Sequence, residues 1–311
     1  MELLRTLDKV TKNYVLLAGG KGASLGEMIS AGITVPPGYV VLSAAFDRFL
    51  DEVQLAAEID STLEKVDPKE MHTVEAASER VHTLILGAEM PEDLAEDIMK
   101  QFESLGAEFV AVRSSATAED SAAAAWAGQL NTYLNTTKEN LLENVLKCWA
   151  SLFTSRAIFY RFEKGLHAEK VSVAVVIQKM VQSECAGVAF SVHPVTEDEN
   201  QLIIEAAFGL GEAVVSGEIT PDSYVVDKMN WEIIETYVSE QSKMLVRSGK
   251  GNEWKKPEDP GKQVLNEEQI IELSKLVVKI AEHYGFPCDI EWAWEGKFYI
   301  TQSRPITTLK K

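Results

Sequence analysis

Residues 289–305, Asp-Ile-Glu-Trp-Ala-Trp-Glu-Gly-Lys-Phe-Tyr-Ile-Thr-Gln-Ser-Arg-Pro, constrain the rest of the chain more than any other stretch. Aromatic and β-branched residues flank a turn signal at Glu295-Gly296, the pattern of a hairpin. Side chains alternate faces along a strand. A two- or four-residue loop pairs Asp289 with Gln302 and Glu291 with Ile300. Asp289, Glu291, Gln302 and Arg304 then share one face, and Ile290, Trp292, Trp294 and Tyr299 share the other. A three-residue loop breaks that register. Two carboxylates on one strand face whose oxygens approach to ~5 Å repel by on the order of 3 kcal/mol at an effective dielectric of ~20. A cation offsets this. Oxygen ligands beside an amide and an arginine suit Mg²⁺ carrying phosphate. The plainer alternative is an edge hairpin with a wet acidic face.

Such a ribbon needs a scaffold, and the chain of 311 residues is long enough for two domains or one two-lobed domain. Its formal net charge of −18 argues against a nucleic-acid surface, because phosphate backbones repel a uniformly acidic protein. A small anion needs only local positive charge. No apolar run has membrane-spanning length and no signal peptide is recognisable, so no membrane partner is expected. Cys148, Cys185 and Cys288 lie far apart and form no metal spacing, which points to reduced thiols and a cytoplasmic protein.

Earlier in the chain, an apolar run meets Gly19-Gly20-Lys21-Gly22 and then a helical pattern through Leu25, Met28 and Ile29. Glycines let backbone N–H groups approach an anion at a helix start, and Lys21 adds a point charge. The Walker A spacing is absent, and a plain turn is the competing explanation. Residues 44–105 read as acidic, solvated helices. Phe109–Thr117 reads as a buried strand ending in Arg113, Ser114, Ser115 and Thr117, residue types that bind phosphate. The alanine run before Gly128 and Thr132 suits a loop that closes over a ligand, or an ordinary surface loop.

Thr136 and Glu139 have the spacing of a capping box before one long helix that runs through Trp149 to Tyr160. Val171–Val181 is a buried strand whose polar end, Gln178 and Lys179, suits an adenine edge or plain solvent. A further strand delivers Glu205 into the glycine-rich run 208–212, where ribose hydroxyls or a metal are natural partners. Residues 248–261 read as an exposed loop. Asn266 and Gln269 cap the last helix, which Gly285 ends.

Each signal is weak alone, but their order is specific. Gly19-Gly20-Lys21, VRSSATAED (112–120), AGQ (127–129), WASLFTSRAIFYR (149–161), EAAFGLGEAVVSG (205–217) and the ribbon resemble the N-terminal nucleotide-binding domain shared by phosphoenolpyruvate synthase, pyruvate phosphate dikinase and rifamycin phosphotransferase. The resemblance covers essentially the whole chain. It implies an α+β, ATP-grasp fold in which two lobes clamp a nucleotide between antiparallel sheets. The N-terminal lobe would be 1–181 and the C-terminal lobe 182–311. It implies ATP and Mg²⁺ as ligands. Lys21, Arg113 and Arg304 would act on the phosphates, and Gly128 and Thr132 would belong to the covering loop. Gln178 would meet adenine, and Glu205 would be a further nucleotide ligand. Asp289, Glu291 and Gln302 would hold the metal.

In that family ATP phosphorylates a histidine on a swivelling domain, AMP leaves, and the histidine passes the group to pyruvate or another acceptor. None of His72, His82, His167, His193 or His283 lies in the family's phosphohistidine motif, and the acceptor-binding barrel is missing. The expected partners are therefore a phosphohistidine domain or subunit and an acceptor-binding part, on another chain or in a missing part. The chain is an excised fragment or the nucleotide-binding subunit of a split enzyme; Met1 and the Lys310-Lys311 ending fit a complete short polypeptide. Rifamycin or a phenol, as in phenylphosphate synthase, are alternative acceptors. An ATP-grasp ligase releasing ADP and a silent nucleotide-binding regulator are the alternatives from other classes.

Overall fold

The structure is a computed structural model, and it describes residues 2–117, 131–165, 172–249, 251–307 and 309. Helices and antiparallel sheets make an α+β protein, divided into two compact units: residues 1–27 with 37–180, and residues 28–36 with 181–311.

The first unit carries a five-stranded sheet of β1 (Leu4–Thr6), β2 (Gly38–Val41), β3 (Val110–Ala116), β4 (Thr132–Thr136) and β5 (Val173–Lys179), in the order β1-β2-β5-β3-β4. Apolar alternation decides which face is core. Val110, Val112, Val173, Val175 and Ile177 point into one cluster with Phe46, Phe49, Val81, Ile98 and Trp149 from the helices. The Trp149 ring lies 5.4 Å from Phe46 and 5.0 Å from Phe49, centroid to centroid. Each such fully buried aromatic contributes roughly 2–3 kcal/mol. Arg113 and Ser115 alternate onto the opposite face.

Two local expectations change here. Thr136 ends β4 and does not cap a helix; the helix begins at Leu141, after Asn140. The side chain of Thr136 instead accepts a hydrogen bond from Asn144 Nδ2 at 2.8 Å. The long helix is also two helices, Leu141–Ala150 and Ser155–Glu163, joined through a short 3-10 turn. Thr154 breaks it by adopting an extended conformation and capping the second helix, accepting from the Ala157 N–H at 3.2 Å.

The second unit carries a six-stranded antiparallel sheet. Its strands are β6 (Cys185–Phe190), β7 (Gln201–Phe208), β8 (Asp222–Asp227), β9 (Glu232–Tyr237), β12 (Cys288–Trp294) and β13 (Phe298–Pro305), ordered β13-β12-β6-β7-β8-β9. A separate hairpin, β10 (Met244–Ser248) and β11 (Gly251–Lys255), occupies part of the stretch expected to be loop. The helix Glu267–Tyr284 buries Ile270, Leu273, Val277 and Ile280. These positions recur at i, i+3, i+7 and i+10, one stripe of a helix. Asn266 and Gln269 form its capping box, and Gly285 ends it in the left-handed region.

A fully buried carboxylate ties this unit together. Asp222 accepts from the Ser239 N–H at 3.0 Å, Gln241 Nε2 at 3.2 Å, the Tyr224 hydroxyl at 2.8 Å and the Val264 N–H at 2.8 Å. Removing the acceptor takes a hydrogen-bond partner from all four donors, although Gln241 Nε2 keeps the Ala206 carbonyl. Asp222→Ala is expected to destabilise this unit by about 3 kcal/mol or more, measured by denaturant unfolding. A change within the ~0.5 kcal/mol typical of surface sites would refute the role.

Among the described residues, no helix is long and apolar enough to cross a membrane. Cys148, Cys185 and Cys288 are buried thiols. Burial pushes Cys185 up to about 12 and Cys288 up to about 11, so neither is a thiolate nucleophile near neutral pH.

Candidate functional site

In the first unit, the glycine run is shaped by packing. The segment Val15–Ser30 is broken at Gly19, which takes φ +68°. A Cβ there would stand 2.2 Å from Ser115 Oγ and 2.4 Å from the Ser115 carbonyl oxygen, so only glycine fits. The N–H groups of Lys21 and Gly22 donate to Ser115 Oγ at 3.1 and 3.4 Å. These are donors expected to serve an anion, and Ser115 uses them. The other hydroxyls expected to bind phosphate are also engaged within the fold. Ser114 Oγ donates to the Asn131 carbonyl at 2.9 Å, and Thr117 Oγ1 to the Ser172 carbonyl at 3.0 Å. Sequence reasoning missed this because the partners lie far away in the chain.

Arg113 lies mid-strand in β3 and is 8% exposed. Its Nη1 donates to Gln178 Oε1 at 3.4 Å, and Gln178 is itself 2% exposed. Thr132 is the register partner of Arg113 across β3 and β4, so both share a face, and Thr132 is exposed. Thus Lys21 is bound through its N–H to β3, and Arg113, Thr132 and Gln178 stand together on that sheet. Gly128 lies outside the described residues.

In the second unit, the ribbon comes out differently from the sequence expectation. Trp294 pairs with Phe298, leaving a three-residue loop at 295–297. Gly296 supplies the left-handed residue, φ +66°, that such loops require. On its own this shifts the register by one and separates the polar side chains. A bulge restores them. Glu291 pairs with Gln302 and Trp292 with Ile300, so Thr301 is the extra residue, and its hydroxyl donates to the Glu291 carbonyl at 3.2 Å. Asp289 therefore faces Arg304, not Gln302, and Glu291 faces Gln302, not Ile300. The four polar side chains share one face as expected, by a different pairing. Tyr299 pairs with Ala293 and lies on this polar face, not with the tryptophans.

The polar face continues across the sheet. Glu291 is opposite Val188, Val188 opposite Glu205, and Glu205 opposite Ser223. Gln302, Glu291 and Glu205 thus lie in one row. Burial pushes the Glu205 carboxyl up from its ordinary value, and the nearby Asp289 charge adds to the shift. Arg304 answers part of that charge. Its Nε and Nη2 lie 2.8 and 2.6 Å from Asp289 Oδ2. Two supports of this face had no sequence signal. Gln241 grips β7 just beyond Glu205, donating to the Ala206 carbonyl at 3.2 Å and accepting from the Phe208 N–H at 3.1 Å. Ser191 Oγ accepts from the Cys288 N–H at 2.8 Å and fixes the start of β12.

Among the described residues, no three or more His, Cys, Asp or Glu side chains converge as a metal cage. A carboxylate facing an amide, with further carboxylates on the same face, fits an ion that keeps waters and phosphate oxygens as ligands. That is the habit of Mg²⁺.

An α+β chain with such an acidic sheet face beside an arginine has the parts of a nucleotide-binding domain, and comparison assigns its class. Residues 15–311 match the family described as pyruvate phosphate dikinase, AMP/ATP-binding domain, and the chain belongs to that family. It is similar to the probable phosphoenolpyruvate synthase of Methanocaldococcus jannaschii, 47% identical over 100% of this chain and 27% of the relative. The phosphoenolpyruvate synthase of Pyrococcus furiosus is 41% identical over 99% of this chain and 44% of the relative. The probable phosphoenolpyruvate synthase of Archaeoglobus fulgidus is 48% identical over 98% of this chain and 42% of its own length. The chain therefore spans less than half the length of these relatives.

Proposed function

We propose that this chain is the ATP-grasp nucleotide-binding part of a phosphoenolpyruvate synthase-like dikinase. The observation that carries the reading is the row Gln302, Glu291 and Glu205, with Asp289 and Arg304 beside it, in a member of an AMP/ATP-binding family. In this proposal the N-terminal lobe, residues 1–181, handles the phosphates through Lys21 and Arg113, with Gly128 and Thr132 in the covering loop and Gln178 toward adenine. The C-terminal lobe, residues 182–311, contributes Glu205 to the nucleotide, Asp289, Glu291 and Gln302 to the metal, and Arg304 to phosphate. Bound Mg²⁺ would neutralise phosphate charge as it develops.

The protein's own work is positioning. Glu291 and Gln302 fix oxygen donors on two hydrogen-bonded strands, and Lys21, Arg113 and Arg304 orient an anionic chain for in-line transfer. The pyrophosphoryl group would pass to a histidine outside these 311 residues, on a further domain or a partner subunit, releasing AMP, and water would then take the terminal phosphate as inorganic phosphate to leave a phosphohistidine. A cytoplasmic location belongs to the same proposal. Incubation with ATP, Mg²⁺ and a phosphohistidine-bearing part of a relative tests it. AMP, inorganic phosphate and an acid-labile phosphoprotein are the expected products; ADP with an acyl phosphate would instead identify a ligase.

Lys21→Ala is expected to weaken ATP binding roughly tenfold or more while changing adenosine binding little, because a lost ammonium is felt by phosphate. Parallel calorimetric titrations check this. Equal losses for both ligands would show that the residue supports the fold and not the phosphates.

A further inference from the structure

We infer that Arg304 serves as an internal substitute for the metal. In the ligand-free protein its guanidinium holds Asp289, and it gives that carboxylate up only when phosphate draws the arginine away, so that metal and nucleotide bind cooperatively. The inference rests on the functional reading above, and adds a coupling device to it.

The geometry carries it. Both Arg304 contacts, at 2.8 and 2.6 Å, fall on the same oxygen, Asp289 Oδ2. The acceptor is covered, with 13% of its side chain exposed, whereas the arginine is 51% exposed. The carboxylate is thus fixed and the cation is the member able to leave. Asp289 stands directly across from Arg304, two residues along the strand from Glu291, and close enough to Glu205 to perturb it. Three carboxylates on one sheet face need positive charge in the absence of metal, and Arg304 supplies it. An ion pair whose cation stands half open to solvent contributes modest net stability, so a phosphate with bidentate geometry can win the guanidinium. Once it does, Asp289 regains an oxygen and the acidic face regains its demand for a cation. Reciprocity follows: whatever nucleotide does to metal affinity, metal does to nucleotide affinity.

The test reads metal binding without nucleotide, using Mn²⁺ as the probe and electron paramagnetic resonance to count free ion. Arg304→Gln is expected to bind Mn²⁺ roughly fivefold or more tightly than the unaltered protein, because one competing charge is gone. Asp289→Asn is expected to bind it more weakly, and the double variant to show no gain over Asp289→Asn. Arg304→Lys keeps the charge without the fork and is expected to fall between the unaltered protein and Arg304→Gln. Arg304→Gln affinity equal to or below that of the unaltered protein, with unchanged thermal unfolding, would overturn the inference. Should Arg304→Gln unfold, an Arg304→Lys affinity no tighter than the unaltered protein's would overturn it equally. An unaltered protein that binds no ATP in the presence of Mg²⁺ would instead defeat the functional reading, whatever the Mn²⁺ series shows.

Discussion

Glu291→Ala is expected to raise the dissociation constant for ATP in the presence of Mg²⁺ about a hundredfold, or about 2.7 kcal/mol, without unfolding the protein. In the proposed site, the size follows from removing a charged oxygen ligand beside an amide and leaving Asp289 and Gln302 to hold the ion. Truncating one member of such a polar set costs on the order of 2–5 kcal/mol, much of it from the partner left behind. The fold is expected to survive because the Glu291 side chain lies on the partly exposed face, while Ile290 and Trp292 on either side fill the core. The variant should also lose most of its dependence on Mg²⁺. Calorimetric titration with and without the metal measures both effects. An unchanged affinity would remove Glu291 from the site, and loss of the native unfolding transition would make it a structural residue.

Gly187→Ala is expected to disrupt the second unit strongly. Gly187 sits in β6 opposite Trp292 of β12 and Ala206 of β7. A Cβ at this position would lie 1.9 Å from the Glu205 carbonyl oxygen and 3.0 Å from Trp292 Cζ2. The first contact is with backbone, which cannot rotate away, and the second is with a ring that is 1% exposed. Relief requires β6 and β7 to separate in the middle of the sheet. That costs about 3 kcal/mol or more, at the upper end of overpacking. It also displaces Glu205, so nucleotide binding should fall together with stability. Denaturant unfolding followed by tryptophan fluorescence checks the first effect and ATP titration the second. A loss below ~0.5 kcal/mol, the ordinary surface range, would mean that the close approach of the strands is not required.

These two positions show what the sequence could and could not express. Strands β3, β5 and β7 are apolar runs with a polar end, and the last helix has a clean stripe and a capping box, so all were legible from local pattern. The polar face of the ribbon was legible too, because strand alternation is a property of the residues themselves. Its register was not. Loop length and bulge each move the pairing by one residue, and neither Glu295-Gly296-Lys297 nor Thr301 announces which it will do. Only their combination returns Asp289, Glu291, Gln302 and Arg304 to one face.

The glycines divide in the same way. Gly19 is legible in sequence as a backbone that could approach an anion or as a plain turn, but its packing requirement is not. Its need for a missing side chain comes from Ser115, 96 positions later in numbering, against which Lys21 and Gly22 also place their N–H groups. Ser114 and Thr117 look like phosphate ligands in a strand-end motif, but long-range carbonyls take their hydroxyl protons. Asp222 and Gln241 gave no signal at all, since a buried hub is defined by the groups that converge on it. Family membership adds what local chemistry lacked, the kind of ligand such a domain binds.

The most direct test is equilibrium dialysis of labelled ATP with Mg²⁺ against the unaltered protein, Arg113→Ala and Glu291→Ala. One ATP is expected to bind per chain if the proposal holds, and either substitution is expected to abolish or greatly weaken that binding. Saturable binding that persists unchanged in either variant, or no binding to the unaltered protein, would contradict it.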